Sequence, residues 1–247
     1  MTLEGRVALV TGGGRGIGRA ISLALANEGA AIAINYRKDA DAANEVAAAI
    51  EAAGGRAKTY AASVDSYEQD EAMVDAALAD FGHIDILINN AGIASRGNSV
   101  ADTDPAELER VLRTHAFGPH YLSKLVLPSM RQQPRGDIIM ISSVAARMLS
   151  GNGGPYNMGK AALEALAMTL YKEERRNNIH VNIVAPGLVE TDMGARLARA
   201  TRGTTDMRDL DASSPFGRVC QPQDIANVVL FLVSEQAAYL TGQKIEV

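Results

Sequence analysis

Thr11-Gly12-Gly13-Gly14-Arg15-Gly16-Ile17-Gly18 stands between a short apolar run, residues 6–11 (RVALVT), and a string of helix formers, residues 19–28. Bounded by Gly5 and the glycine cluster, the apolar run reads as a buried strand. A strand, a glycine-rich turn and a helix make the first half of a βαβ unit. Glycines in that turn let the backbone approach a pyrophosphate closely, and the helix N-terminus offers unpaired N–H groups and positive partial charge.

The same alternation continues outward along the chain. Residues 30–35 (AAIAIN) read as a second strand, and 39–53 as an alanine-rich helix stopped by Gly54-Gly55. Residues 56–61 make a third strand leading to Ser63-Val64-Asp65, and 67–81 a helix closed by Gly82. A fourth strand, 84–88 (IDILI), ends in Asn89-Asn90-Ala91-Gly92, and Asp104-Pro105 opens a long helix running to about Met130. Residues 137–141 (DIIMI) form a fifth strand ending at Ser142-Ser143, and 180–185 a sixth ending at Pro186-Gly187. Residues 190–214 are polar with little periodicity and are expected to form an irregular lid. Residues 222–233 read as a last amphipathic helix and 243–247 as a seventh strand. Strand alternating with helix, without repeats or linkers, predicts a single doubly wound parallel sheet with helices on both faces over residues 1–247.

Composition narrows the function. The 247 residues are 47% hydrophobic with a net charge of -5, and no basic run stands out, which argues against nucleic acid as a partner. The longest strongly apolar run, residues 228–233, is far too short to span a bilayer. The chain opens almost directly on a strand-like segment, so no signal peptide is expected. Cys220 is the only cysteine, which excludes an internal disulfide framework and fits a reducing, cytoplasmic compartment. His83, His115, His120 and His180 lack metal-ligand spacing, so no metal is expected.

Chemistry gathers where strands end. In doubly wound sheets, ligands bind at the carboxyl ends of the strands. Gly154-Pro155-Tyr156-Asn157-Met158-Gly159-Lys160 precedes a run of helix formers, 161–176, which puts Tyr156 and Lys160 on one face of a helix, one turn apart. A free tyrosine loses its proton near pH ~10, and a nearby ammonium is expected to pull that value towards working range. Ser143, Tyr156 and Lys160 are thus expected to share one crevice beside the nucleotide.

The motifs TGGGRGIG, NNAG, ISS, YNMGK, NIVAPGLVETDM and YLTGQKIEV, with Ser143 placed 13 residues before Tyr156, resemble the short-chain dehydrogenase/reductase family over essentially the whole chain. Within it, TGGGRGIGRA, INYR, NNAG and GRVCQPQDIANVVLFL are most similar to 3-oxoacyl-acyl-carrier-protein reductases. The resemblance implies a Rossmann-type fold and hydride transfer between a nicotinamide and a carbonyl or alcohol carbon. It implies that Tyr156 exchanges the oxygen's proton, Ser143 hydrogen-bonds that oxygen, and Lys160 holds the nicotinamide ribose and lowers the tyrosine pKa. For the cofactor it implies Gly12, Gly14, Arg15, Gly16, Ile17 and Gly18 at the phosphates. Tyr36, Arg37, Val64, Asp65, Asn89, Ala91 and Gly92 fall on the adenosine side, and Pro186, Gly187, Val189 and Thr191 near the carboxamide.

The second strand ends in Asn35-Tyr36-Arg37 without a carboxylate, so Arg15 and Arg37 are expected to clamp a 2′-phosphate and favour NADP(H) over NAD(H). The substrate is expected to be a small carbonyl or a thioester-linked one, with acyl carrier protein a candidate partner docking at Arg131, Arg135, Arg175 and Arg176. The alternatives are an alcohol, sugar or steroid dehydrogenase running oxidatively, and a catalytically silent nucleotide-binding scaffold. Pairing through the helices near 105–130 and 156–176 is expected to build a homotetramer. Two positions depart from the family pattern. His115 replaces a proton-relay asparagine, and the expected Asp-Gly-Gly does not follow Ile245-Glu246-Val247, which leaves the C-terminus open to truncation. Pro119 has no N–H to offer the His115 carbonyl, so a kink over 115–119 and a main-chain relay through that carbonyl are expected.

Overall fold

The computed structural model describes residues 3–247. Runs of three to seven residues, apolar in the central strands, form a sheet of seven parallel strands: β1 (Val7–Val10), β2 (Ala31–Tyr36), β3 (Ala57–Ala61), β4 (Ile86–Asn89), β5 (Gly136–Ile141), β6 (Ile179–Ala185) and β7 (Lys244–Glu246). Their order across the sheet is β3-β2-β1-β4-β5-β6-β7. The direction of winding therefore reverses between β1 and β4, and a crevice opens at the carboxyl ends of these two strands.

Between the strands run α1 (Gly16–Asn27), α2 (Ala40–Ala52), α3 (Tyr67–Phe81), α4 (Pro105–Leu112), α5 (Gly118–Met130), α6 (Ala145–Met148), α7 (Gly154–Glu174), α8 (Asp192–Arg202) and α9 (Pro222–Val233). Because successive strand residues point to opposite faces, each central strand feeds two cores. Ala8, Val10, Ile32, Ile34, Ile86 and Ile88 pack with α1, α2 and α9. Val7, Leu9, Ala33, Leu87, Ile138 and Met140 pack with α3, α5 and α7. Each Val, Leu, Ile or Met side chain among them, removed from water, contributes about 1.5–3 kcal/mol, and burial on both faces is why these strands carry no polar face.

Element boundaries fall within three residues of those expected from sequence, α1 starting at Gly16 rather than Arg19, with three larger differences. The long helix of 105–130 is not regular. Residues Arg113–Phe117 form a π-helical turn between α4 and α5, closed by the Gly118 N–H bonding the Arg113 carbonyl. The segment 190–214 is not an irregular lid: it holds α8 and a 3₁₀ stretch, Met207–Ser213. Thr191 caps α8 by accepting the Gly194 N–H, and Ala198, Met207, Leu210 and Val219 form a small core of their own. So few apolar residues at irregular spacing hid that period. The short α6 after Ser143 was also not foreseen; it ends at Leu149 in the left-handed region, at φ +50°.

Candidate active site

Local constraints shape the glycine turn between β1 and α1. Gly12 and Gly16 have φ of +60° and +53°, where side chains are strained. A Cβ on Gly18 would lie 2.1 Å from the Gly12 carbonyl oxygen, so α1 begins against the turn only because position 18 lacks one. Thr11, Asn35 and Asn90 hold the turn from behind. Asn35 Oδ1 accepts the Gly12 N–H at 3.2 Å, and its Nδ2 donates to the Ala62 carbonyl at 3.0 Å. Asn90 Nδ2 donates to the Thr11 carbonyl at 2.8 Å, and Thr11 Oγ1 accepts the Asn90 and Ala91 N–H groups at 2.8 and 2.9 Å. Reading the sequence for ligand contacts missed these three, because their work is on backbone groups.

The residues expected to hold a dinucleotide line this crevice. Arg15 is the N-cap of α1 and supplies no side-chain acceptor, so the first N–H groups of that helix remain available to an anion. Across from the turn, Thr191 Cγ2 stands 3.3 Å from where a Gly16 Cβ would be, which brings the loop after β6 over the glycine turn. Val64 and Asp65 follow β3, and the Val64 carbonyl approaches α5 so closely that a Cβ on Gly118 would meet it at 2.2 Å. Asn89, at the end of β4, keeps a buried Oδ1 without a hydrogen-bond partner. Open helix N–H groups, a turn without side chains and an orphaned acceptor fit a phosphate-bearing dinucleotide. Arg15 and Arg37 are both exposed beside this edge, and Pro186, Gly187 and Val189 lie in the loop after β6.

Ser143 follows β5, and Tyr156 and Lys160 occupy the first turns of α7. Ser143 Oγ accepts the Ala145 N–H at 3.2 Å and donates to the Pro186 carbonyl at 3.4 Å, and it lowers the Tyr156 pKa. Lys160 is 4% exposed; its Nζ donates to the Ile141 carbonyl at 2.7 Å and lies 5.7 Å from the centre of the Tyr156 ring. The expected lowering of the tyrosine pKa by lysine is absent. Burial raises the Tyr156 pKa, and the Ser143 hydrogen bond offsets this in part. Burial also pushes Lys160 down to about 7, partly opposed by the Glu164 carboxylate. Lys160 gives its hydrogen bond to a backbone carbonyl and stands over the face of the Tyr156 ring.

His115 lies in the π turn, 1% exposed, with its ring edge-to-face on Tyr156 at 5.2 Å and 79°. Its Nε2 sits 2.8 Å from the Ile93 carbonyl and 3.2 Å from the Ile93 N–H, while Nδ1 is buried without a partner. Two glycines make room for it. A Cβ on Gly92 would meet His115 Cε1 at 2.9 Å, and one on Gly159 would meet His115 Cβ at 2.9 Å. Desolvation first, then the Lys160 charge, lowers its pKa to about 3, so the imidazole is neutral at pH 7. The π turn confirms the helix distortion at this place, centred slightly before the expected 115–119.

Two of the four arginines expected to dock a carrier already have carboxylate partners. Arg131 is engaged with Glu174, and Arg135 chelates Asp137 at 2.9 and 3.0 Å. Together with Arg175 and Arg176 they sit at the far end of α7, about 30 Å along the helix from Tyr156 at 1.5 Å per residue. A cleft of about 680 Å³ lined by Arg6, Ala26, Gly29, Arg56 and His83 also opens at that opposite edge, away from every catalytic group. Among the described residues no group of side chains is arranged to hold a metal ion, and no helix is long and apolar enough to cross a membrane.

A parallel sheet reversing at β1 and β4, a glycine turn at that reversal, and a Ser–Tyr–Lys cluster beside it define a nucleotide-dependent oxidoreductase. The chain belongs to the short-chain dehydrogenase/reductase family and acts on CH–OH groups. A family model described as enoyl-(acyl carrier protein) reductase matches residues 12–247. The 3-oxoacyl-[acyl-carrier-protein] reductase of Escherichia coli (strain K12) is 37% identical over 100% of this chain and 97% of its own. The structure of an angucycline C-6 ketoreductase with bound NADP superposes with a TM-score of 0.89 at 36% identity, covering 99% of this chain and 95% of that one. A 7α-hydroxysteroid dehydrogenase complexed with NADH and 7-oxo glycochenodeoxycholic acid gives a TM-score of 0.91 at 34% identity, covering 100% and 94%.

Proposed function

We propose that this chain is an NADPH-dependent reductase of carbonyl compounds, forming secondary alcohols, with 3-oxoacyl thioesters as its first candidate substrates and the cytoplasm as its compartment. The observation that carries this reading is the gathering of Ser143, Tyr156 and Lys160 at the carboxyl end of the sheet beside the glycine turn, with Lys160 Nζ 5.7 Å from the centre of the Tyr156 ring. Reduction of a carbonyl ends by protonating an alkoxide, which is far more basic than a phenolate, so a phenol held against that oxygen can give it its proton. Bound NADPH supplies the hydride. Ser143 Oγ donates a hydrogen bond to the carbonyl oxygen and orients it towards Tyr156. Tyr156 Oη stabilises the developing negative charge and passes its proton to it. Lys160 contributes its positive charge beside the nicotinamide ribose. His115, neutral, leaves the refilling of the proton to water held at its main-chain carbonyl, for which Pro119 supplies no competing N–H.

Glycines 12, 14, 16 and 18, with Arg15 and Ile17, would hold the phosphates. Tyr36, Arg37, Val64 and Asp65, with Asn89, Ala91 and Gly92, would frame the adenosine. Pro186, Gly187, Val189 and Thr191 would hold the carboxamide end. An oxidative hydroxysteroid or alcohol dehydrogenase is the second reading, favoured by the likeness to the 7α-hydroxysteroid enzyme. A panel of β-ketoacyl thioesters, diketones, sugars and 7-oxo steroids, assayed for NADPH consumption and in reverse for its formation, separates the two. Turnover of a ketoacyl thioester or diketone is expected. Activity confined to oxidation of hydroxysteroids or sugars would contradict the proposal.

A further inference from the structure

A chain of charged groups ties the C-terminal strand to the catalytic lysine. One turn beyond Lys160 on α7, Glu164 accepts the Ser142 hydroxyl at 2.6 Å, and Ser142 is the neighbour of Ser143. The ammonium of Lys244, at the start of β7, lies 2.9 Å from both Glu164 oxygens. Lys244 is also 3.8 Å from Glu246, whose carboxylate is held at both oxygens by Arg147 of α6 at 2.9 Å. Ser142, Glu164, Lys244, Glu246 and Arg147 therefore link β5, α7, β7 and α6 around the catalytic end of the sheet. β7 is itself fixed there by its register on β6, Ile183 against Lys244 and Ala185 against Glu246.

We infer that Glu164, clamped between Ser142 and Lys244, is a positioning residue that keeps the buried Lys160 charged and so makes the C-terminal strand part of the catalytic machinery. The spacing is the first reason. Residues i and i+4 of a helix are neighbours, so Glu164 lies one turn beyond Lys160 on the same face of α7. Need is the second: an ammonium that is 4% exposed and hydrogen-bonded to one carbonyl requires a compensating charge. Among the groups acting on Lys160, burial destabilises its charge and Glu164 is the one that restores it. From the other packed elements, the π turn presents the neutral His115, and α4 carries Arg110 and the buried Glu107, whose carboxylate is engaged by Arg96. Tyr156 lies on the same helix face, α6 carries Arg147, and β7 carries Lys244 and Glu246. β5 and β6 place their titratable groups, Asp137 and His180, at their opposite ends. Glu164 is thus the carboxylate positioned to serve Lys160.

This inference rests on the reading of Lys160 as a charged catalytic group, and its test does not require turnover. In protein labelled with ¹³Cε-lysine and free of cofactor, the Lys160 resonance is identified by its loss in Lys160→Met and titrated by NMR. In Glu164→Gln, which keeps the shape and an acceptor for Ser142, the Lys160 midpoint is expected to fall by about one pH unit, the low end of the effect of a neighbouring opposite charge. Glu164→Asp, which keeps the charge, is expected to titrate between wild type and Glu164→Gln. On a substrate found in the panel, Glu164→Gln should then lose about tenfold in kcat/KM at pH 8 and recover at pH 6. A Lys160 midpoint unmoved in Glu164→Gln, or moved equally in Glu164→Asp, would overturn the inference whether or not the enzyme turns over any substrate tested.

Discussion

Burial acts in opposite senses on Tyr156 and Lys160: it raises the phenol, which is protonated at pH 7 in either case, and lowers the ammonium, so only the neutral lysine gains ground there. The lysine therefore depends on neighbours to stay charged. The short reach of Ser143 sets where the substrate oxygen must lie. At the other end of the crevice, the nucleotide specificity also turns on single side chains. Asn35 is buried and spent on Gly12 and Ala62, so it cannot bond ribose hydroxyls, and the next residues are Tyr36 and the exposed Arg37. A guanidinium suits a 2′-phosphate and has nothing to grip on a plain ribose. Fluorescence titration should therefore give tighter binding of NADPH than of NADH, by tenfold or more, and Arg37→Ala should erase most of that difference. Equal affinity for both in the wild type would contradict it.

In the helix that runs from α4 through the π turn to α5, the distortion matters more than the side chain that marks it. His115→Ala removes an edge-to-face contact with Tyr156, a kind worth about 0.5–1.5 kcal/mol, so its turnover should fall less than tenfold. Pro119→Ala restores an N–H that can close the helix over the His115 carbonyl, and should cost more than His115→Ala in stopped or steady-state assays. A ~100-fold loss in His115→Ala, the scale of a missing acid or base, would make the imidazole the carrier instead. The neighbouring helix α3 carries a different strain. Asp70 is fully buried with both oxygens unpartnered, and desolvation with the nearby Asp65 raises it from 3.8 to about 8. The folded state thus holds a proton that the unfolded chain has already released above about pH 4. Stability should fall as pH rises from about 4 to about 8, by about 1.4 kcal/mol per pH unit at most. Asp70→Asn should flatten that slope, read as Tm against pH; an unchanged slope would show that Asp70 is ionised in the fold. The elements were legible where periodicity or glycine marked them, as in β1, the glycine turn and α3. The π turn was legible through Pro119. The helix α8 was not, because its buried face amounts to Gly194 and Ala198 and its order comes from a cap and a satellite core. At the site, Ser143, Tyr156 and Lys160 were readable from spacing. Asn35, Asn90 and Glu164 were not, since their partners are up to 80 residues away in sequence.

Across the whole molecule, one sheet carries every proposed catalytic and cofactor residue at its carboxyl edge, and the opposite edge is closed by ion pairs such as Arg6 and Arg135 on Asp137. That division leaves the outer faces of α5 and α7 for self-association. At the end of the π turn, Phe117 is 46% exposed and lies at an angle to Tyr121 of α5, which meets Tyr67 edge-on at 5.4 Å. We expect these faces to pair copies of the chain into a homotetramer with closed symmetry, seen by light scattering at micromolar concentration; a monomer there would contradict it. The molecule's central claim is that the whole crevice serves one proton and one hydride, and a single substitution tests it. Tyr156→Phe keeps the ring, its contact with His115 and the fold, and removes only the hydroxyl. On whichever carbonyl the wild type reduces, this variant should bind NADPH within about threefold of wild type and lose at least ~100-fold in turnover, the usual scale of general acid catalysis. Retention of more than a tenth of wild-type turnover, with cofactor binding intact, would contradict the mechanism.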